Sequence, residues 1–392
     1  MPDQQKPGQL TIQGYQQHAL RADQLGDVAL SVPLLGLFGE TGSLLSEAKK
    51  KHRDAISYTG YEATVVEELG DVLWYLTAVA HRGGLSLAEI AFHQNESSHG
   101  PQNYAMPLFF TDFQPSNLHA QSSPSPAYET NLMKLAGEVG LLMTAFQEKR
   151  LDRNRPALTG ALIPIFRTLI RAANEAGITL QQAAEANLRK ISDRWPEERT
   201  YPPLFDENFP THERLPRTLT IEIFERNEGG KVFVYQSCHG INIGDRLTDN
   251  ILEPDDYRFH DVFHYAYAAV LGWSPVMRAL FKLKRKSQPH IDEAEDGARA
   301  LLIEEGIATW IFGQAKQLDS FSGMKPKDLS LTLLKTVRQF VTGYEPERCP
   351  LWLWEEAILQ GFAAFRYLKE KRGALIHVDM LQRQLTYSEM TI

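Results

Sequence analysis

A chain of 392 residues is long enough for about two or three domains, and its 43% hydrophobic content can fill real cores. The net charge of −8 argues against a general nucleic-acid coat, which neutralises phosphates with excess Lys and Arg. No stable nucleic-acid binding is therefore expected, whereas a small anionic ligand held through bound cations is compatible with this charge. The two cysteines, Cys238 and Cys349, supply no disulfide framework and no zinc-finger spacing, so a reducing cytoplasm is the expected compartment.

The first residues, MPDQQKPGQLTIQGYQQ, lack a basic region followed by an apolar one, so no signal peptide is expected. The most apolar early run, VLWYLTAVA, stops at His81 and Arg82, too short for a membrane span.

From about 10 to 97 apolar residues return every three or four positions, the period of a helix. Residues 98–128 are rich in Ser, Pro, Asn and Gln and read as a linker or long loop. Helical periodicity resumes from about 129 to 195, ending at Trp195 and Pro196, in a second block that spans 129–199. The two helical blocks resemble each other: LFGETGSLL (37–45) matches LAGEVGLLM (135–143), and GGLSLAEIA (83–91) matches AGITLQQAA (176–184) at nearly the same separation, the mark of an internal repeat. After a proline-rich stretch, TIEIFE and KVFVYQ flank the turn-forming RNEGG and predict a β-hairpin opening a third domain, 217–392. Its remainder reads as helices: one ending at Gly272, a basic amphipathic stretch to Lys286, a long one from about Ile291 to Lys316, and two near 327–342 and 352–371. The fold class is thus mainly α, a tandem helical bundle followed by a mostly helical α+β domain with one hairpin.

In the first block, acids interrupt strongly apolar segments. Glu40 lies in LLGLFGETGSLL, while Glu68 and Asp71 lie three apart, on one helix face, in VVEELGDVLWYL. Burying carboxylates together is costly unless a cation neutralises them, and an oxygen-rich set suits Mg²⁺ or Mn²⁺. The alternative is a polar helix contact. These segments resemble the MazG-like all-α nucleoside triphosphate pyrophosphohydrolases, whose signature places Glu-x-x-Glu on one helix and Glu-x-x-Asp on the next. Glu68-Leu-Gly-Asp71 is the second half intact; in the first half Glu40 is followed three residues on by Ser43, where the family usually has Glu. Glu47 faces the same way as Glu40 but lies about 10 Å farther along the axis, so it enters the metal set, Glu40, Glu47, Glu68 and Asp71, as an outer candidate.

The resemblance implies a Mg²⁺-dependent hydrolase that splits a ribo- or deoxynucleoside triphosphate into monophosphate and pyrophosphate, with Glu68 central to the chemistry. Glu67, beside the ligand face, can orient or deprotonate the attacking water, or simply face solvent. In the second block Glu138 matches Glu40, but Leu141 replaces the next acid and TGALIP carries no carboxylate. What it keeps is EANLRKISDRWP, similar to the family's closing helix, with Asn187, Lys190 and Arg194 as nucleotide-binding candidates along one face. The two blocks are therefore expected to pack as one asymmetric site, the first holding metal and the second holding phosphate; alternatively the second only completes the bundle. A homo-oligomer is compatible with either.

In the third domain, FHDVFHYAYAAVLGW sets His260 and His264 four apart around Asp261, where both rings can reach one metal. Glu304 and Glu305 in LLIEEGIATW join them as candidates for a second site taking zinc or another transition metal. The string is similar to the zincin His-Glu-x-x-His and to the His-Asp of HD phosphohydrolases, for which His239 and Asp292 or Asp296 are loose partners. Paired histidines also occur as plain core residues, and KLKRK (282–286) reads as a phosphate contact or a solvated helix face. Two other functions stay open: a C-terminal metal-dependent hydrolase with the helical blocks as sensor, or a non-catalytic nucleotide-binding regulator.

Overall fold

A computed structural model of the chain describes residues 9–21, 23, 30–99 and 108–390, the side chains of 94–99 excepted. It divides into two compact units, Met1–Ser192 and Asp193–Ile392.

The first unit is helical: α1 (Ile12–Arg21), α2 (Ser31–Asp54), α3 (Tyr61–Arg82), α4 (Leu87–His99), α5 (Pro126–Gln147), α6 (Arg155–Ala176) and α7, which starts at Leu180 and ends at Arg194. α2 to α4 have 24, 22 and 13 residues and α5 to α7 have 22, 22 and 15, and the last residues of the second block read in the sequence, 193–199, fall in the second unit. Local chemistry fixes several of the boundaries. The Ser125 hydroxyl accepts from the Tyr128 amide ahead of a proline at the first turn of α5, and the Asn154 side chain accepts from the Ala157 amide at the start of α6. α3 buries Val65, Leu69, Val72, Leu73, Leu76, Val79 and Ala80, a helical stripe that faces one core shared with α1, α2, α4, α5 and α6.

Where it is described, the 98–128 stretch is packed against the helices of the first unit. Leu108 and Phe110 are buried, the Ile12 amide donates to the Leu108 carbonyl at 3.0 Å, and the Gln114 side chain accepts from the Leu180 amide at 2.6 Å. Prolines and polar residues here shape a packed connection rather than a free one. Residues 100–107 of that stretch lie outside the described residues.

In the second unit the expected hairpin is β1 (Thr218–Glu228) paired with β2 (Lys231–Cys238), and it belongs to a larger sheet. Five strands run antiparallel in the order β3-β2-β1-β4-β5, with β3 at Ile241–Asn242, β4 at Gly373–Asp379 and β5 at Gln384–Ser388. β4 and β5 follow the last helix directly and were absent from the sequence expectation. The helices are α8 (Asp261–Ala266), continued by a wider π turn over Tyr267–Leu271 and stopped by Gly272 in the left-handed region, then α9 (Pro275–Leu280), α10 (Pro289–Ala294), α11 (Ala298–Ala315), α12 (Leu331–Phe340) and α13 (Leu351–Lys371). The single long helix expected from 291 to 316 is broken at Gly297, where a Cβ would stand 2.1 Å from the Glu293 carbonyl. α13 and the α8 segment pack on each other and on the sheet, burying Phe263, Tyr267, Trp273, Trp354, Phe362 and Phe365.

The basic stretch ending at Lys286 is not a solvated helix. Arg285 is 1% exposed, donates to Asp296 from Nε and Nη2, and pairs with Glu345 at 2.9 Å. Arg278 joins this buried network, donating to Asp206 at 2.8 Å. No helix among the described residues is long and apolar enough to cross a membrane.

Candidate functional site

α2 and α3 lie side by side in the first unit, and their packing brings the acids together. Glu40 comes from α2, Glu68 and Asp71 from α3, and each offers a carboxylate oxygen within 4.8 Å of the other two. All three are half-buried. Burial, followed by the charges of Asp71, Glu40 and Glu67, pushes the Glu68 carboxyl up to about 7. Burial and Asp71 also raise Glu40, against the lowering influence of Lys190, Glu68 and the nearby Ser43 hydroxyl. Ser43, where the resembled family usually has Glu, thus supports Glu40 instead of adding charge. Glu68 Oε2 is buried without a hydrogen-bond partner.

α7 closes the other side. Gly70 makes the approach possible, because a Cβ there would lie 2.6 Å from the Ala183 carbonyl and 3.0 Å from the Asn187 Cβ. The Asn187 amide donates to Asp71 Oδ1 at 3.0 Å, and the Tyr15 hydroxyl, from α1, donates to Asn187 Oδ1 at 3.1 Å. Lys190 donates to Asp71 Oδ2 and pairs with Glu67 at 2.9 Å. Burial works against its charge, but Asp71 and Glu67 outweigh that and hold the ammonium well above its ordinary range. Residues of the two helical blocks therefore meet at Asp71. Tyr15 is the participant missed in the sequence; no local pattern around IQGYQQ marks it.

Two expected members stand elsewhere. Glu47 is buried, and its carboxylate accepts from Lys50 and from the Tyr58 hydroxyl, so it is engaged away from the three-acid group. The seven-residue spacing carried it too far along the helix. Arg194 falls in the second unit, 2% exposed, where its guanidinium forks onto Glu355 and also donates to the Leu329 carbonyl at 2.7 Å. It is a structural cation rather than an open phosphate ligand.

In the second unit His260, Asp261 and His264 form another group whose donor atoms lie within 4.8 Å of one another. Of the two acids expected with them, Glu305 reaches both imidazoles and Glu304 lies behind one. Asp296, a loose candidate from the sequence, is held by Arg285.

Residues 200–391 match the family model of the MazG C-terminal domain, so the C-terminal part of the chain is related to the MazG family. No curated protein and no solved structure matches the chain.

Proposed function

We propose that the chain is a Mg²⁺-dependent nucleoside triphosphate pyrophosphohydrolase whose active site is the Glu40, Glu68, Asp71 group together with Asn187 and Lys190. The observation that carries this reading is the charge of the acid cluster that Lys190 relieves only in part: three carboxylates share one half-buried place, one carboxyl is pushed up to about 7, and one buried oxygen has no hydrogen-bond partner. A divalent cation removes that penalty, and an all-oxygen donor set fits Mg²⁺ or Mn²⁺ better than a softer metal. The relation of the C-terminal part to the MazG family and the EELGDVLWYL segment of α3 support the same class of reaction.

Glu40, Glu68 and Asp71 would hold the ion. When bound, it lowers the pKa of a coordinated water and neutralises charge on phosphoryl oxygens. The chain's own residues supply the rest. Asn187 and Lys190 fix the two oxygens of Asp71, so that carboxylate is aimed before substrate arrives. Lys190 also stands where it can turn from Glu67 to a substrate phosphate, which would leave Glu67 to orient the attacking water and accept its proton.

Incubation with ribo- and deoxynucleoside triphosphates and Mg²⁺, with products identified by mass, tests the proposal. Monophosphate and pyrophosphate in equal amounts, lost in Glu68→Ala, are expected. Orthophosphate release, or turnover that survives Glu68→Ala, sinks it.

A further inference from the structure

The second unit contains a group of side chains that the proposed reaction does not use. His260 stands just before α8 and His264 one turn later, and each has its Nδ1 already engaged. His260 Nδ1 lies 2.9 Å from the Tyr257 carbonyl, to which it can only donate. His264 Nδ1 lies 2.9 Å from Glu304 Oε1, and Glu304 also accepts from the Ser274 hydroxyl at 2.7 Å and the Val276 amide at 2.8 Å. A carboxylate so engaged acts as acceptor and leaves the Nδ1 proton on His264. In the neutral form of each ring, which metal binding requires, Nε2 then presents the lone pair. This is how the far side of a metal-binding imidazole is usually held.

Those Nε2 atoms converge with two carboxylate oxygens. Asp261 Oδ1 is 3.1 Å from His260 Nε2, and Glu305 Oε2 is 3.7 Å from His260 Nε2 and 3.4 Å from His264 Nε2. Donors bound at about 2.0–2.2 Å to one tetrahedral or octahedral ion stand roughly 3.0–3.6 Å apart; two of the three separations fall in that range and the third, 3.7 Å, lies just beyond it. The remaining oxygen of Asp261 accepts from Gln236, whose own carbonyl accepts from the Tyr265 hydroxyl, and the Tyr257 ring stacks on His260 at 4.3 Å. His264 is fully buried, and its Nε2 has only the 3.4 Å approach of Glu305 Oε2, without a well-formed hydrogen bond. A buried polar atom left this way is costly unless a ligand takes it.

We propose that His260, Asp261, His264 and Glu305 form a binding site for a divalent transition metal, with Glu304 as the outer carboxylate that orients His264. This revises the ligand set expected from the sequence, in which Glu304 was a ligand and Asp261 only a neighbour. Two imidazoles favour zinc, iron, nickel or copper over magnesium. The Glu305 side chain is 41% exposed, so one edge of the shell opens to solvent and leaves room for water or a substrate oxygen.

The full-length chain carrying Glu68→Ala, which takes one of the three carboxylates from the acid cluster of the first unit, is stripped with chelator and dialysed against Zn²⁺ or Co²⁺. One equivalent of zinc per chain is expected, with visible ligand-field bands for Co²⁺ that show nitrogen in the shell. His260→Ala and Glu305→Gln, added to that background, should each weaken binding by at least about tenfold. Glu305 is on the surface edge, so its variant should keep the parent's metal-free melting temperature and decides the matter if His260→Ala fails to fold. No stoichiometric zinc, or zinc held equally well by the Glu305→Gln chain, overturns the site and leaves a buried His–carboxylate network in its place.

Discussion

At the scale of single residues, the acid cluster makes two roles separable. Glu68 is pushed up by burial and by its acidic neighbours, whereas Lys190 is held charged by Asp71 and Glu67. If a cation completes this group, Mg²⁺ binds the folded chain and not the unfolded one, so saturating Mg²⁺ at about 100 times its Kd should add roughly 2.7 kcal/mol of stability. Denaturant unfolding with and without Mg²⁺ measures that gain, and in Glu68→Ala it should vanish; an equal gain in the variant would place the ion elsewhere. Lys190→Ala should instead raise KM for triphosphate about tenfold or more while helix content by circular dichroism is unchanged, because it removes a phosphate contact and leaves the three acids in place. Unchanged kinetics would return the second helical block to a purely structural role. Glu68 and Asp71 could be picked from the sequence because charge inside an apolar helical pattern is conspicuous, and Lys190 because EANLRKISDRWP resembles a family's closing helix. Glu47, taken from its spacing to Glu40, and Arg194, taken from the same resemblance as Lys190, go elsewhere, since what engages a side chain depends on partners such as Tyr58 and Glu355 that no local pattern reveals.

At the scale of elements, helices were easier to read than their ends or the strands. α3 announces itself through its buried stripe, but β4 and β5 follow α13 with one residue between helix and sheet, and pairing with β1 decides their state. The break between α10 and α11 likewise follows from Asp296 turning to meet Arg285, a contact across the fold that periodicity cannot show. That buried network gives an acid-stability prediction. Burial would raise the Asp206 carboxyl, but Arg217, the Leu215 amide and Arg278 outweigh it and hold the group below its ordinary value. An acid lowered in this way binds fewer protons folded than unfolded, so its stabilisation is present above the unfolded value, near 3.9, and disappears as pH falls through the folded one. Asp206→Asn should therefore be less stable than the parent at pH 7, with the gap closing below about pH 4. Unfolding curves at both pH values check it, and a gap that is constant with pH would mean that the loss lies in packing. In the first unit, Gly70→Ala drives a methyl against the Ala183 carbonyl and should cost about 1–3 kcal/mol, with turnover falling because Asn187 and Lys190 shift with α7.

At the scale of the whole molecule, the two units differ in donor chemistry, and that difference can be tested on the intact chain. The first unit offers oxygen alone from Glu40, Glu68 and Asp71; the second adds two imidazole nitrogens from His260 and His264. Hard Mg²⁺ prefers the former, and borderline ions such as zinc the latter. A chelator-stripped chain given Mg²⁺ alone should therefore recover its triphosphate hydrolysis, and His260→Ala should hydrolyse at the parent rate while failing to retain zinc. Glu68→Ala should do the opposite, keeping zinc and losing hydrolysis. Because the two variants act on groups in different units, their effects on metal content and turnover should be independent, and the double variant should show each loss at its single-variant size. If Mg²⁺ alone fails to restore turnover and zinc must be supplied as well, the reaction depends on the His260 and His264 group, and the acid cluster of α2 and α3 is insufficient by itself.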